Sequence, residues 1–447
     1  MRNIYTLFFV LMSIFLVFSL ETKAQTHVWD GSVSRWTRGN GTENDPYIID
    51  SASHLAYLSQ AVMGGSFFAD TFFVLANDMD LNHLAWTPIG RNVNKAFMGT
   101  FNGNHHAITN MNCVDTINHQ NAVYVGLFGY TLDAHISNLT LEAQILVSLF
   151  TYHNLYVGGI VAYGFASLIE DCVFEGSITV YASNSYAYAG GILSYSSSGT
   201  GVQHCVNKGN IYASSQGTAY AGGIMADCDN ATPLISHCHN EANVYATGYL
   251  YAYAGGIAAK LNYGAAIQAC YNTGKIETYS NSNTYVGGIA GVGTACSITS
   301  SFNEGELKVI GYDHAYGGGI VGFTEYPSIV SDCYNQGNLL VSSYFQKSFV
   351  GGIVGHIYNY AMTPTIVSSC YQTGTLQSIS SFRAFSGGIA GEIVNNARIS
   401  QCYYLQSTVL MPTNAAGMEV DAPFLRALST VDTLNQSRQL WLYDEAF

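Results

Sequence analysis

Charged residues are scarce in this 447-residue chain, at 10% against about 25% in an ordinary globular protein. Only 15 are Lys or Arg and 29 are Asp or Glu, which gives a formal net charge of −14. So acidic a chain lacks the basic surface on which nucleic acids bind, and we expect no nucleic-acid partner. With 48% hydrophobic residues, it is also too apolar for intrinsic disorder.

Proline is rare too, at 7 residues, whereas glycine (46) and tyrosine (33) are abundant. Glycine suits tight turns and tyrosine suits strands. The composition therefore favours an all-β fold over a helical one.

The first 24 residues have the pattern of a secretory signal peptide. Arg2 supplies a positive start, residues 7–20 are almost wholly apolar, and Ala24 precedes the predicted cleavage site at Gln25. The apolar run is shorter than the roughly 20 residues that cross a bilayer, so we predict cleavage rather than a membrane anchor. Later segments are not apolar for long enough to span, so we expect an exported mature chain with no transmembrane segment.

A unit of about 32 residues recurs along the chain. Its first landmark is a Gly-Gly pair followed by Ile, and its second is a Cys with an Ile or Val three residues earlier. The first landmark begins at Gly158, Gly190, Gly222, Gly255, Gly287, Gly318, Gly351 and Gly387. The second is Cys172, Cys205, Cys238, Cys270, Cys333, Cys370 and Cys402, with Ser301 in its place in the fifth repeat.

In the first seven repeats the residue five positions after the Cys position is polar and the next one is apolar, as in Asn210 and Ile211 after Cys205. A period of two is typical of a strand with one buried face. A unit this short cannot bury that face alone and must stack on its neighbours. The sequence therefore predicts a right-handed parallel β-helix (β-solenoid) of about ten coils, in which like residues form ladders. A β-propeller is the alternative, but its blades take about 40 to 45 residues.

The ends of a solenoid need covers, because an open coil exposes unpaired backbone groups. Leu55, Leu58 and Val62 lie at helical spacing in residues 51–63, and residues 421–434 show a similar pattern. We therefore expect helical end caps and four segments. These are a signal peptide (1–24), an N-terminal cap with the first coil (25–120), the solenoid repeats (121–410) and a C-terminal cap (411–447).

The repeat resembles the GLUG-motif family of bacterial, largely Bacteroidetes-type, surface and adhesin-like proteins. The motif is Gly, an aliphatic residue, any residue and Gly, and it stands at residues 126–129, 288–291, 319–322, 352–355 and 388–391. Repeats one to four depart from it, with Ala162, Tyr195, Asp227 and Ala259 near the last Gly. The resemblance implies a β-solenoid on or outside the cell, in adhesin-like proteins and beside some immunoglobulin-cleaving metalloproteases. The His-Glu-x-x-His zinc motif is absent here, and the family has no shared catalytic residues to transfer.

Two columns of aromatic residues are candidates for a binding surface. One column directly follows the Cys landmark and points outward if the Cys points inward, so we predict that it is an exposed, ligand-binding stripe. Its members are Tyr271, Phe302, Tyr334, Tyr371 and Tyr403. The other stands two residues before each Gly pair and is either a core ladder, which we favour, or a stacking platform for sugars. Its members are Tyr156, Tyr188, Tyr220, Tyr253, Tyr285, Tyr316, Phe349 and Phe385.

The sequence gives little evidence for a metal, redox or cofactor site. Asp171, His204 and His237 share one corner position and would lie about 5 Å apart, but ordinary solvated side chains explain them equally well, and we predict no metal. Asp78 begins a short calcium-loop-like stretch that lacks the required Gly and Glu. The seven Cys that share one repeat position suit a buried thiol ladder better than disulfides. We predict no cofactor and no catalytic residue.

Together these features predict an exported, non-catalytic, adhesin-like solenoid, secreted or on the outer surface of a bacterium, that binds a glycan or an extracellular host or matrix protein. The alternative is a polysaccharide-degrading lyase or glycosidase on the same scaffold. A glycosidase needs two carboxylates about 5 to 10 Å apart in one groove. The acidic residues occupy varied repeat positions, so we expect that the protein is not an enzyme.

Overall fold

The computed structural model describes residues 27–115, 121–150, 152–229, 232–405 and 417–421. These residues form a parallel β-solenoid of about ten coils, which confirms the predicted fold class. The predicted signal peptide lies outside the described residues, and so does the predicted C-terminal helix apart from Asp421. The four segment boundaries remain predictions.

Each coil contributes strands to three parallel sheets, which we name sheets I, II and III in their order along a repeat. Sheet I contains Val123–Val125, Leu155–Gly158, Ala187–Gly190, Thr218–Gly222, Tyr251–Gly255, Asn283–Gly287, Ala315–Gly318, Lys347–Gly351 and Arg383–Gly387. Sheet II contains Phe128–Leu132, Val161–Phe165, Leu193–Ser197, Met225–Cys228, Ala258–Leu261, Ala290–Thr294, Val321–Glu325, Val354–Asn359 and Ala390–Asn395.

Sheet III is the largest, with 28 strands. Its longer early strands are Thr100–Asp115, His135–Leu149 and Leu168–Ala182, preceded by His27–Val28, Tyr47–Ile49, Phe72–Leu75 and Met79–Asp80. Shorter strands follow in the later coils: Gly201–Gln203, Val206–Asn207, Asn210–Ser215, Leu234–Ser236, His239–Asn240, Val244–Gly248, Ala266–Gln268, Tyr271–Asn272, Ile276–Ser280, Ser297–Thr299, Phe302–Asn303, Leu307–Gly311, Ile329–Ser331, Tyr334–Asn335, Leu339–Ser343, Thr365–Ser368, Tyr371–Gln372, Leu376–Ser380, Ala397–Ser400, Tyr403–Leu405 and Met418–Val420.

Like residues lie in vertical register between coils. Tyr188 pairs with Tyr220 in sheet I, for example, and Ile178 pairs with Ile211 in sheet III. The landmark cysteines form a buried column in sheet III. Their thiols donate to the carbonyl two residues earlier, as Cys205 does to Gln203 at 3.1 Å. Burial raises the pKa of the Cys205 thiol well above its usual value.

A second buried column in sheet III is made of asparagines. Its members are Asn207, Asn240, Asn272, Asn303 and Asn335, and all are fully buried. Each side-chain amide except the last donates to the next Oδ1 along the stack, over 2.6 to 2.8 Å. The amides of Asn240 and Asn272 also donate to a carbonyl two residues on. The ladder therefore satisfies polar groups that would otherwise be costly to bury.

In five of the Gly-Gly pairs, from Gly191 to Gly319, the second glycine packs against this asparagine column. A Cβ on Gly288 would overlap both the carbonyl oxygen of Gly319 and the side chain of Asn303. At the first glycine of the pair the chain turns so sharply that a Cβ on Gly287 would overlap the carbonyl of Ala290. Both positions are thus closed to any side chain, which explains why the pair recurs in every repeat.

The corner before the cysteines is built from left-handed residues, with φ of 49° to 56°. They are Asn138, Asp171, His204, His237, Ala269, Ser300, Asp332, Ser369 and Gln401. Asn and Asp tolerate this conformation better than other non-glycine residues, so the polar character of the corner has a backbone origin.

The predicted N-terminal helix is present as α1 (Ala52–Met63). Leu55, Leu58 and Val62 are fully buried and join the central core. Among the described residues α1 is the one helix, and none there is long and apolar enough to cross a membrane.

Candidate binding surfaces

The predicted aromatic stripe forms a single column on sheet III, as expected. Tyr271, Phe302, Tyr334, Tyr371 and Tyr403 are successive register partners. The prediction that this stripe is exposed is only partly right, because its rings are half-buried and Tyr334 is 9% exposed. The Phe302 and Tyr334 rings lie 4.6 Å apart and almost parallel. Because neighbouring rings cover each other's faces, mainly the ring edges are accessible to a ligand. The role of the stripe in binding stays a prediction.

The second aromatic column lies on the outer side of sheet I. Nine rings from Tyr124 to Phe385 stack with centroids 4.6 to 5.2 Å apart. They belong to clusters separate from the central core, which the intervening Ala187 and Ala189 join instead. The favoured interpretation as a core ladder is therefore wrong in position, although many of the rings are buried.

This ladder packs against side chains of sheet II, and we name the seam between these two walls the aromatic groove. The other wall is a sheet II column of Tyr130, Tyr163, Tyr195, Asp227, Lys260, Val292, Phe323, His356 and Glu392. Rings on the two walls meet edge to face, as Tyr188 and Tyr195 do at 5.8 Å. The sharp turn at each Gly pair brings the outer sides of sheets I and II together.

Asp227 lies in the middle of this groove and is 5% exposed. Its Oδ1 accepts hydrogen bonds from the backbone N–H of Cys228 at 2.8 Å and from Nδ2 of Asn262 at 3.2 Å. Burial raises the pKa of Asp227 to about 7, although the charge of Lys260 acts in the opposite direction. Sequence reasoning missed this site; the signal was an acidic residue at a repeat position that is Tyr195 in the preceding coil.

His356 lies near the C-terminal end of the groove and is 7% exposed. Burial lowers its pKa to about 4, helped by the charge of Lys347. The imidazole is therefore neutral at pH 7, and its approach to Glu392 at 3.7 Å is not an ion pair. Neither ring nitrogen has a hydrogen-bond partner among the described residues.

Eight exposed aromatic residues lie at the corner between sheets III and I. We name this set the corner ridge: Phe150, Tyr152, Tyr186, Tyr249, Tyr312, Tyr344, Phe345 and Phe382, with 44 to 84% of each residue exposed. The Tyr312 and Phe345 rings are 6.0 Å apart and near-parallel. Large exposed apolar groups of this kind mark interaction sites. The repeat alignment hid the ridge, because the length of this corner varies between coils.

The suggested metal column has the predicted stacking but little else. The His204 and His237 rings are 4.9 Å apart, and His204 Nδ1 lies 4.0 Å from Asp171 Oδ1. Within the described part of the chain, no three His, Cys, Asp or Glu side chains are grouped closely enough to hold a metal ion. Asp78 instead accepts hydrogen bonds from Ala107 N–H and His106, both at 3.0 Å.

Two pockets lie beside the N-terminal helix. One of about 370 Å³ is lined by Trp29, Gln60 and Met63, among others. A smaller one of about 190 Å³ is lined by Trp86, Arg91 and Tyr124 and so meets the N-terminal end of the aromatic groove.

The model of the GLUG motif matches residues 153–179. The chain carries the GLUG motif. This match includes the Gly-Gly-Ile landmark at residues 158–160 and Cys172. The GLUG repeat, together with the solenoid fold, indicates a surface or secreted β-helix protein.

Two curated proteins are similar to parts of the chain. A candidate Gly-rich membrane protein of Evansella cellulosilytica is 31% identical over 126 residues, which are 27% of this chain and 13% of that protein. Halomucin of Haloquadratum walsbyi is 32% identical over 113 residues, or 24% of this chain and 1% of that protein. The chain thus spans only a small share of the relatives it matches.

Two solved structures are also similar. One is a candidate immunoglobulin A1 protease from Bacteroides ovatus, with 17% identity, a TM-score of 0.35 and 90% of both chains covered. The other is described as an IgA1 protease, with 13% identity and a TM-score of 0.44, covering 86% of this chain and 24% of that one. The expectation that the protein is not an enzyme is corrected by this comparison, because both structures carry the name of an enzyme. The similarity is too distant to assign their activity to this chain.

Proposed function

We propose that the chain is an exported β-solenoid, secreted or displayed on a bacterial surface, that binds a glycan or an extracellular host or matrix protein along the corner ridge. The observation that supports this most directly is the row of eight exposed rings at the corner between sheets III and I. Aromatic side chains supply much of the energy at binding sites because they bury a large area with little loss of conformational entropy. The exposed rings of the ridge are better placed for contact than the half-buried stripe.

Arrays of glycans and of extracellular-matrix proteins, probed with the full chain, would test this proposal. We expect the chain to bind at least one glycan or matrix protein on these arrays. The double variant Tyr344→Ser, Phe345→Ser should bind that ligand at least tenfold more weakly. Tyr212→Ser is the matched control, because Tyr212 is also exposed but lies on the flat of sheet III. Unchanged binding by the double variant would count against the ridge. If Tyr334→Ser instead weakened binding at an unchanged melting temperature, the stripe would be the contact surface.

A polysaccharide-degrading enzyme is the second candidate, and Asp227 is the observation that favours it. A general acid works best when its pKa is close to the working pH. Burial raises the pKa of Asp227 to about 7. Tyrosine side chains of both groove walls lie near it, and burial together with the charge of Asp227 raises the pKa of Tyr188, Tyr195 and Tyr220. A perturbed carboxyl group in a groove is a recognised indicator of an active site.

Incubation with a panel of polysaccharides would test this second candidate. We expect new reducing or unsaturated sugar ends, and we expect Asp227→Asn to abolish their release. Asp171→Asn is the control, since Asp171 lies at a half-exposed corner of sheet III. If the protein bound a polysaccharide without cleaving it, the enzyme candidate would be wrong and the binding function would be supported.

A further inference from the structure

The C-terminal end of the corner ridge adjoins two basic residues, Lys347 and Arg383. They are register partners at the starts of successive strands of sheet I. Both lie over the ring of Phe385, with Lys347 Nζ at 5.6 Å and Arg383 Cζ at 4.6 Å from its centroid. A cation over an aromatic face is held in place while its N–H groups remain able to donate.

Several other basic residues of this acidic chain are paired with carboxylates. Lys208 pairs with Glu175, Lys275 pairs with Glu277, and Arg38 lies 3.5 Å from Asp50. Among the described residues, by contrast, no carboxylate forms an ion pair with Lys347 or Arg383. Two neighbouring unneutralised cations on a chain of net charge −14 are expected to attract an anionic group.

Exposed aromatic side chains and a histidine lie near Lys347 and Arg383. The nearby corner-ridge residues precede the strands of these two residues and the strand Ala315–Gly318 before them. They are Tyr312, Tyr344, Phe345 and Phe382, and all are at least half exposed. His314 stacks 6.1 Å from Tyr316, and its Nδ1 lies 3.3 Å from Asn283 Oδ1.

His356 is a further, independent feature of this end of the groove. It is more than nine-tenths buried, and its ring nitrogens lack protein partners among the described residues. Its ring lies 4.7 Å from that of Phe349, the register partner of Phe385. Two carboxylates are also close: Glu392 faces His356, and the charge of Asp313 acts on His314. These carboxylates would repel an anion, whereas Lys347 and Arg383 would attract it.

We infer that this end of the solenoid binds an acidic polysaccharide whose sugar rings carry carboxylates. The guanidinium of Arg383 can hold a carboxylate through two parallel hydrogen bonds, and Lys347 supplies a second charge one coil away. The exposed rings beside them can pack on the apolar faces of sugars. This inference rests on the proposed binding function and adds the chemical class of its ligand.

Calorimetric titration of the full chain at low salt would test this inference, with polygalacturonate as the probe, neutral dextran as the uncharged polymer and poly-glutamate as the acidic peptide. We expect polygalacturonate to bind at least tenfold more tightly than either of the others. The variant Lys347→Gln, Arg383→Gln should weaken that binding at least tenfold. The charge-preserving variant Lys347→Arg, Arg383→Lys should lose less binding than the Gln variant, because it keeps both charges and gives up only the two-pronged hydrogen bonding of Arg383. Both variants should keep the wild-type melting temperature.

The matched control is Lys308→Gln, Arg398→Gln, which removes the same charge from sheet III and should stay within twofold. An equal loss in this control, or no loss in the first variant, would overturn the inference. Poly-glutamate binding as tightly as polygalacturonate would identify an acidic peptide instead. If a neutral glycan or a matrix protein bound through Tyr344 and Phe345 while polygalacturonate did not bind, the ligand class would be wrong and the proposed function would stand.

Discussion

Nδ2 of Asn240 donates to Oδ1 of Asn272 over 2.7 Å, and Nδ2 of Asn272 donates in the same way to Asn303 in the next coil. The asparagine column is thus a continuous chain of hydrogen bonds through a fully buried interior.

Removal of one link should be costly. In Asn272→Ala, the amide of Asn240 loses one acceptor, Oδ1 of Asn303 loses a donor, and a cavity remains. We expect a loss of about 3 kcal/mol in the free energy of unfolding, measured by urea denaturation. Asn94→Ala at an exposed turn should change it by less than about 0.5 kcal/mol. An equal effect at both sites would mean that the ladder contributes little.

The Gly-Gly pair should tolerate no side chain at its second position. In Gly288→Ala the new methyl would collide with the backbone of Gly319 and with Asn303, so we expect a loss of about 3 kcal/mol or more. In Gly201→Ala the nearest atom would be 3.5 Å away, and this strand substitution should be neutral or slightly stabilising. Melting temperatures of the two variants provide the measurement, and comparable values would contradict the packing argument.

Ala269 occupies the left-handed corner with a φ of 56°. An alanine in this conformation costs about 1 kcal/mol, which glycine avoids. Ala269→Gly should therefore raise the free energy of unfolding by up to about 1 kcal/mol. The matched variant Ala397→Gly, in a strand of sheet III, should lower it. A loss of stability in both would show that the corner is not strained.

Asp227 should make stability depend on pH. Its pKa in the folded state is about 7, above the ordinary value of 3.8 for an aspartate. Between these two pH values the folded state holds a proton that the unfolded state has released. The contribution of this group to stability is complete below about pH 4 and is lost as the pH rises through 7, by on the order of 4 kcal/mol. The Asp227→Asn variant should lack this loss. The free energy of unfolding of both proteins, measured at pH 4 and pH 8, provides the test. An equal change between the two pH values in wild type and variant would contradict the prediction.

Much of the architecture could be predicted because each coil repeats the same local pattern. The alternation after Cys205 predicts a strand, and the recurring Gly-Gly and Asn positions predict stacked ladders. The position of the tyrosine column could not be predicted in this way, since period-two alternation does not say which face is buried. Here the inward face goes to small residues such as Ala187 and Ala189, and the larger Tyr188 is left to the groove.

The individual sites escaped prediction for a different reason. Asp227 and His356 acquire their properties from side chains of neighbouring coils and of the opposite wall, some 30 residues away in sequence or more. Those neighbours are known only once the turn at the Gly pair has brought sheets I and II together. The corner ridge, in turn, belongs to the segments that differ most in length from one coil to the next.

The constant register between coils also bears on how such a chain can evolve. Each coil contacts chiefly the coils before and after it, so the duplication or deletion of one whole repeat would lengthen or shorten the rod by about 4.8 Å and leave every other layer as it was. Rod length can therefore vary among descendants of one ancestor through unequal recombination alone, while the chemistry carried by a given coil is inherited intact.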